Sequence, residues 1–209
     1  MSRRGYDSGK RLLDAVASGI LLVVLSPVIG VVAVLVAVKL GRPVIFAQPR
    51  PGRGGTVFTL RKFRSMKSVD VEAGLVTDED RLTTFGKALR ASSLDELPSL
   101  VNVLRGDMSF VGPRPLLVSY LERYTPRQAR RHEVRPGITG LAQSSGRNDV
   151  PWERRLELDV EYVDTRSFRL DALILVRTVR SVFVREGISH DGHVTMPEFG
   201  AAEPSGGGA

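Results

Sequence analysis

The longest apolar stretch of the chain runs from Ala15 to Val38 and reads AVASGILLVVLSPVIGVVAVLVAV. It carries no charge over 24 positions, about 36 Å of straight helix, against about 30 Å for the hydrocarbon core of a bilayer. Three placements compete. A cleaved signal peptide fits poorly, because the run is longer than a usual h-region and no small-x-small site follows it before Lys39. A simple spanning helix fits the length. A re-entrant helix, entering and leaving by one face, fits the flanks: Arg3, Arg4, Lys10 and Arg11 precede the run and a basic block follows it. Basic residues stay on the cytoplasmic side, so a single span strands one of the two clusters. Ser26-Pro27 lies near the middle. Pro27 lacks a donor and clashes with the Val23 carbonyl, which predicts a kink, and Ser26 is placed to bond a freed carbonyl. On these grounds alone the spanning and re-entrant placements both stay open.

Beyond Lys39 the pattern becomes that of a water-facing domain, with no second apolar run of that length. Residues 43–46 and 56–60 are β-prone, and the Pro/Gly-rich turn 48–55 between them predicts a hairpin. Residues 69–84 are polar and acidic and predict a mobile loop. Short helices are expected over 85–89 and 97–104, the latter stopped by Gly106. Thr125-Pro126 has an N-cap and N1 signature for a helix reaching about Glu133. Helices are also expected over 152–163 and 170–186, and residues 200–209 read as a flexible tail. Two Pro/Gly stretches, Val111-Gly112-Pro113-Arg114-Pro115 and Arg135-Pro136-Gly137-Ile138-Thr139-Gly140, separate these elements.

Composition narrows the chemistry. The 209 residues contain no cysteine, which excludes a disulfide scaffold, a zinc finger and a cysteine nucleophile. Three histidines make a His-rich metal site a poor reading. The net charge is +7. Eight cations and no acid lie between Lys39 and Val69, so the positive charge is a local feature beside the apolar run.

Four groups of residues are candidates for chemistry. Asp95-Glu96 sits in Ser93-Leu94-Asp95-Glu96-Leu97-Pro98, where Ser93-x-x-Glu96 also reads as a capping box and Asp95 as an N-cap. The functional reading places two carboxylates at a helix start that favours phosphate, one attacking phosphorus and one holding a divalent cation. Arg90 lies five residues before Asp95, and Arg114, Arg135 and Arg147 stand beside proline or glycine, as expected for a polyanionic substrate. Arg61-Lys62-Phe63-Arg64 offers cations either to anionic lipid headgroups or to a lipid phosphate. Asp159, Asp164 and Asp171 are candidate partners of Glu96 on a metal, and spacing does not choose among them.

The ordered blocks resemble the bacterial sugar transferases that are monotopic polyprenyl-phosphate phosphoglycosyl transferases. The resemblance covers about Lys10 to Gly187. It is carried by Lys10-Arg11-x-x-Asp14 with Ser26-Pro27, and by Pro43-Val44-x-Phe46-x-Gln48-x-Arg50-x-Gly52. Lys62-Phe63-Arg64-Ser65-Met66 follows, then Ser93-Leu94-Asp95-Glu96-Leu97-Pro98 through Asp107-Met108-Ser109. Val111-Gly112-Pro113-Arg114-Pro115-Leu116, Arg135 to Gly140, Gly146-Arg147-Asn148 and Asp159-x-x-Tyr162-Val163 complete it. Ser144-Ser145 stands where the family often has Val-Asn, so sugar specificity is not carried across.

The resemblance implies an α+β, mainly helical chain. Residues 1–40 would form the re-entrant membrane helix kinked at Ser26 and Pro27, residues 41–199 a cytoplasmic catalytic domain with a small β-hairpin, and 200–209 the tail. It implies transfer of sugar-1-phosphate from a UDP-sugar to undecaprenyl phosphate with release of UMP, on the cytoplasmic face of the bacterial inner membrane. By the same match Asp95 is the nucleophile, forming an aspartyl-phosphosugar, and Glu96 helps to bind Mg²⁺. Arg90 and Arg114 bind phosphate, and Lys62 and Arg64 line the active-site face. The chain reads as the minimal catalytic unit, and a homodimer is left open. The competing reading is a membrane-anchored basic module for anionic lipid or nucleic acid. Aromatic content of 6% argues against it, since nucleic-acid grooves interleave cations with exposed rings, and nucleic acid is not an expected partner.

Overall fold

The computed structural model describes residues 3–145, 151–184 and 199. Two N-terminal helices, α1 (Arg3–Val24) and α2 (Ser26–Leu40), meet at Leu25 with a bend of 65°. The cause is local. Pro27 cannot donate to the Val23 carbonyl, and Ser26 Oγ donates to that oxygen instead at 2.8 Å. The ladder resumes on either side, with Leu25 N bonding Leu21 O and Ile29 N bonding Leu25 O at 2.8 Å each. No single described helix is long and apolar enough to cross a membrane, whereas the bent pair together passes in length and composition. Leu12, Leu13, Val16, Ile20, Val23, Val24, Val31, Val34 and Val38 of the pair are exposed.

The chain then forms an antiparallel hairpin of β1 (Ile45–Pro51) and β2 (Val57–Phe63), in register from Ile45 opposite Phe63 to Pro51 opposite Val57. The hairpin is longer than its sequence suggests: β1 runs through Pro49 and Pro51, which an edge strand tolerates. The turn shrinks to Gly52–Thr56, where Gly54 and Gly55 take positive φ. The acidic stretch 69–84, expected as loop, contains the one-turn helix α3 (Asp78–Arg81), started by a capping box between Thr77 and Asp80. Next come α4 (Thr84–Ala91) and α5 (Ser99–Arg105), the latter ended by Gly106 at φ 92.

Two short strands pair in parallel, β3 (Ser109–Val111), which ends where the first Pro/Gly stretch begins, and β4 (Gly137–Thr139), which lies inside the second. Between them lies α6 (Pro126–Ala129), with the expected Thr125 cap, continued by a 3-10 segment to Glu133. Then follow α7 (Leu141–Ser144), α8 (Trp152–Thr165) and α9 (Phe168–Val184). The observed architecture is mainly helical with a small hairpin, as expected, plus the unexpected parallel pair.

Three apolar clusters hold these parts together. Val32, Val36 and Leu40 of α2 pack with Phe63 and Leu89, so the second half of the bent pair is part of the domain core. Leu60, Val103 and Met108 join the hairpin to α5. Val111, Leu141, Leu158, Tyr162 and Ile174 join β3 to the last three helices. Helix α1 is stapled by polar contacts. Lys10 Nζ and Tyr6 Oη both donate to Asp171 at 2.7 and 2.8 Å, and Arg11 donates to the Val103 and Leu104 carbonyls at 2.7 Å. Lys10 and Arg11, counted above as flanking charges, are therefore engaged by protein.

Candidate functional site

Four segments converge on one polar cluster. Lys62 comes from the end of β2, Arg90 from the last turn of α4, Asp95 and Glu96 from a 3-10 turn over Leu94–Glu96, and Arg114 from the loop after β3. The turn is entered through Ser93 at φ 57 and ψ 13, the only non-glycine residue with positive φ among those described. Such strained conformations persist where surrounding contacts impose them, often at functional sites.

This overturns the capping reading of Ser93 and Glu96. The Ser93 side chain caps nothing, and α5 begins only at Ser99 and has seven residues, so Asp95 is not its N-cap. Glu96 turns its Oε1 to Lys62 Nζ, with which it forms a tight ion pair, and to Arg114 at 3.5 Å. Asp95 is buried, with 9% of its surface exposed. It accepts no side-chain hydrogen bond among the described residues, although Lys62, Arg114 and Arg90 act on its charge.

The two neighbouring carboxyls are driven apart. Burial, then the charge of Glu96, pushes Asp95 up to about 6, against the pull of the three cations. For Glu96, burial opposes ionisation, but Lys62 and Arg114 outweigh it and hold the carboxyl below the usual range. Glu96 is thus a fixed anion, while Asp95 is an under-solvated carboxylate at neutral pH. Such a pair suits divided roles.

The cations are placed by the framework. Arg90 Nε donates to Ser65 Oγ at 2.8 Å. Ser65 lies against α4, where a Cβ on Gly86 would come within 1.9 Å of its carbonyl oxygen. Arg114 stands between Pro113 and Pro115 and keeps 48% of its side chain exposed. Its loop is interlocked with the second Pro/Gly stretch through Gly112 N to Thr139 O and Gly137 N to Pro113 O, both 2.9 Å. A Cβ on Gly112 would lie 2.3 Å from the Arg135 carbonyl oxygen, so these backbones touch directly.

Other candidates lie elsewhere. The Arg64 guanidinium is spent on the Leu40 and Arg42 carbonyls and on Ser68, tying the end of α2 to the strand that carries Lys62. Arg135 Nε donates to Gly106 O at 2.9 Å. Asp159 is buried against Arg131 at 2.7 Å, and Asp171 receives Tyr6, Lys10 and Tyr162. Asp164 pairs with Arg130 on the surface. None of these three acids joins Glu96, because each is committed to a cation or hydroxyl of its own neighbourhood. Arg147 lies outside the described residues. Sequence reasoning missed Ser65 and Arg131 as supports of the site. Ser65 is merely one residue of a basic block, and nothing in Arg130-Arg131-His132 distinguishes the buried arginine from its half-buried neighbour.

No group of three or more His, Cys, Asp or Glu side chains that could hold a metal occurs among the described residues. Asp95 and Glu96 offer two carboxylates, Glu96 using only Oε1 for its ion pairs. That donor set fits Mg²⁺, which binds through one or two carboxylates together with substrate phosphates and water.

Residues 5–185 match the family model described as bacterial sugar transferase. The chain is 54% identical over 191 residues to the uncharacterized sugar transferase EpsL of Bacillus subtilis, covering 91% of this chain and 95% of that protein. It is 39% identical over 198 residues to a UDP-glucose:undecaprenyl-phosphate glucose-1-phosphate transferase of Caulobacter vibrioides, covering 89% of this chain and 74% of the relative. It is 38% identical over 205 residues to an undecaprenyl-phosphate galactose phosphotransferase of Salmonella typhimurium, covering 90% of this chain but 43% of that longer protein.

Proposed function

Because the chain belongs to the bacterial sugar transferase family and is a transferase of phospho-sugar groups, we propose that it moves sugar-1-phosphate from a UDP-sugar to undecaprenyl phosphate, releasing UMP, through a covalent intermediate on Asp95. The observation that carries this reading is the Asp95-Glu96 pair. One carboxylate is buried without a hydrogen-bond partner among the described residues, its neighbour is locked to Lys62, and Arg90 and Arg114 stand around them.

The chemistry is two displacements at one phosphorus. An Asp95 carboxylate oxygen attacks the sugar-bearing phosphorus. A P–O bond to aspartate forms, the P–O bond to the bridging oxygen breaks, and UMP leaves with the electron pair. An oxygen of undecaprenyl phosphate then attacks the same phosphorus, the aspartyl P–O bond breaks, and the carboxylate is restored. The product is a polyprenyl-diphosphate-sugar. Desolvation of Asp95 favours attack, since a poorly hydrated carboxylate sheds little water on bonding to phosphorus. Arg90 and Arg114 offset charge on the diphosphate. Mg²⁺, when held by Asp95 and Glu96 with the phosphates, supplies further charge neutralisation. Lys62 keeps Glu96 ionised and oriented.

The bent α1–α2 pair supports a re-entrant, monotopic placement in the cytoplasmic membrane. Both flanking basic clusters then stay on one side, and the exposed apolar side chains of the pair meet lipid. Because α2 packs on Phe63 and Leu89, the site rides at a fixed distance from the bilayer, where a soluble donor meets a lipid acceptor. A binding module without catalysis leaves the under-solvated Asp95 without a purpose.

The test is UMP release by the protein in lipid nanodiscs, supplied with Mg²⁺, undecaprenyl phosphate and a panel of UDP-sugars one at a time. Release from one donor, lost in Asp95→Asn and without Mg²⁺, supports the reading and names the sugar. Equal release by Asp95→Asn overturns it.

A further inference from the structure

Beside the site, one buried guanidinium ties the Arg114 loop to Asp159 and Tyr124. Arg131 follows α6, and 2% of its side chain is exposed. Its Nη2 donates to the Arg114 carbonyl oxygen at 2.7 Å. Nε and Nη2 both donate to Asp159 Oδ2, at 3.0 and 2.7 Å. Nη1 donates to Tyr124 Oη at 3.3 Å, and the guanidinium carbon lies 5.6 Å from the centre of the Tyr124 ring. The charge of Arg131 is matched by the buried Asp159, so it adds little field at the substrate. What it adds is geometry, because three fixed acceptors determine where the planar fork sits and therefore where the Arg114 carbonyl sits.

The neighbouring peptide is gripped too, since Arg50 Nη1 approaches the Pro115 carbonyl at 3.4 Å. With Pro113 and Pro115 on either side, the Arg114 backbone has little remaining freedom. Its side chain alone is left exposed to meet an anion, with Glu96 at 3.5 Å.

We propose that Arg131, held by Asp159 and Tyr124, is a positioning residue that sets the Arg114 guanidinium for the diphosphate of the donor. The claim rests on the functional reading above, in which Arg114 binds that diphosphate. It assigns a role to Asp159 different from the metal ligation expected of it: Asp159 anchors the clamp. Lysine cannot replace Arg131, because one ammonium cannot reach the Arg114 carbonyl, Asp159 and Tyr124 in the planar arrangement the fork provides.

The experiment is a double-mutant cycle read by UDP binding, measured by titration calorimetry on the protein in nanodiscs with Mg²⁺. The four proteins are wild type, Arg131→Lys, Arg114→Ala and the double variant, each checked for thermal unfolding. Arg131→Lys is expected to weaken UDP binding between about tenfold and a hundredfold, as small misplacements of binding groups do. In the Arg114→Ala background the same change is expected to cost less than about twofold. A purely structural role predicts the same factor in both backgrounds, and that result overturns the proposal while leaving the functional reading intact. An unchanged affinity in Arg131→Lys overturns it equally. Failure of the wild type to bind UDP removes the functional reading, and the positioning role with it. If Arg131→Lys does not fold, Tyr124→Phe takes its place in the cycle. It deletes only the hydroxyl that receives Nη1, and its smaller loss must again vanish without Arg114.

Discussion

Asp95→Asn is expected to inactivate the protein and to stabilise it. In the folded chain, burial and then Glu96 move the Asp95 carboxyl from 3.8 to about 6, net of the favourable cations. At about 1.36 kcal/mol per pH unit, that displacement amounts to about 3 kcal/mol of folding free energy. The sign follows from a folded-state pKa that is raised. The folded protein holds this proton more tightly than the unfolded chain, so stability is greatest below 3.8 and is lost as pH rises through about 6. Asparagine has the same shape and carries no charge, so it removes that cost. The gain should be about 3 kcal/mol at pH 8 and about half of that at pH 5, where most of the folded-state carboxyl is already protonated. For a domain of this size, about 3 kcal/mol raises the melting temperature by about 6 to 12 °C. The assay is thermal unfolding of wild type and variant in nanodiscs at both pH values. A lower melting temperature for the variant at pH 8, or an equal gain at pH 5 and pH 8, refutes the argument. In the wild type, the same ionisation predicts that the rate of UMP release falls on the acid side of about pH 6.

Three further outcomes follow from the packing. Pro27→Leu restores the missing donor and should straighten the α1–α2 junction. With a single cysteine placed at Ser2 in this cysteine-free chain, labelling from the cytoplasmic side should be complete in the parent and drop in the variant. Gly86→Ala puts a methyl where the Ser65 carbonyl oxygen is 1.9 Å away. The required shift costs about 1 to 3 kcal/mol and pulls Arg90 off Ser65, so both melting temperature and UMP release should fall. Asn102 is fully buried, accepts from the Arg61 amide at 3.1 Å and donates to Thr59 O and Asp107. Asn102→Ala should therefore cost about 1 to 3 kcal/mol in unfolding measurements by leaving these groups unpaired.

The features legible in the sequence are those with local causes. The bend at Leu25 follows from Pro27 and Ser26, and the Ser26 hydroxyl bonds the Val23 carbonyl freed by the proline. The Thr125 cap and the stop at Gly106 are likewise local and appear where expected. The two readings of Ser93 and Glu96 are not separable in the sequence, because a capping box and an ion-paired glutamate share one pattern. Only Lys62, 34 positions away, decides between them. The parallel β3–β4 pair was also hidden. Its segments are only three residues long and lie beside glycines, and they pair because Gly112, just after β3, and Gly137, at the start of β4, let the two backbones touch. Of the arginines and lysines singled out, Arg90, Arg114 and Lys62 meet at the Asp95-Glu96 turn, while Arg64 and Arg135 bind carbonyls elsewhere. Sequence marks a residue as cationic, but whether its charge faces substrate or ties down backbone depends on long-range packing.

The central claim is that Asp95 becomes covalently linked to the sugar-bearing phosphorus. Its most direct test is the intact mass of the protein after incubation with Mg²⁺ and the preferred UDP-sugar in the absence of any lipid acceptor. The account predicts a species heavier by one sugar-phosphate, with the modification on the peptide containing Asp95, UMP released in step with it, and neither product from Asp95→Asn. UMP that appears only when undecaprenyl phosphate is supplied, with no adduct at any time, would contradict it and point to direct transfer between the two substrates.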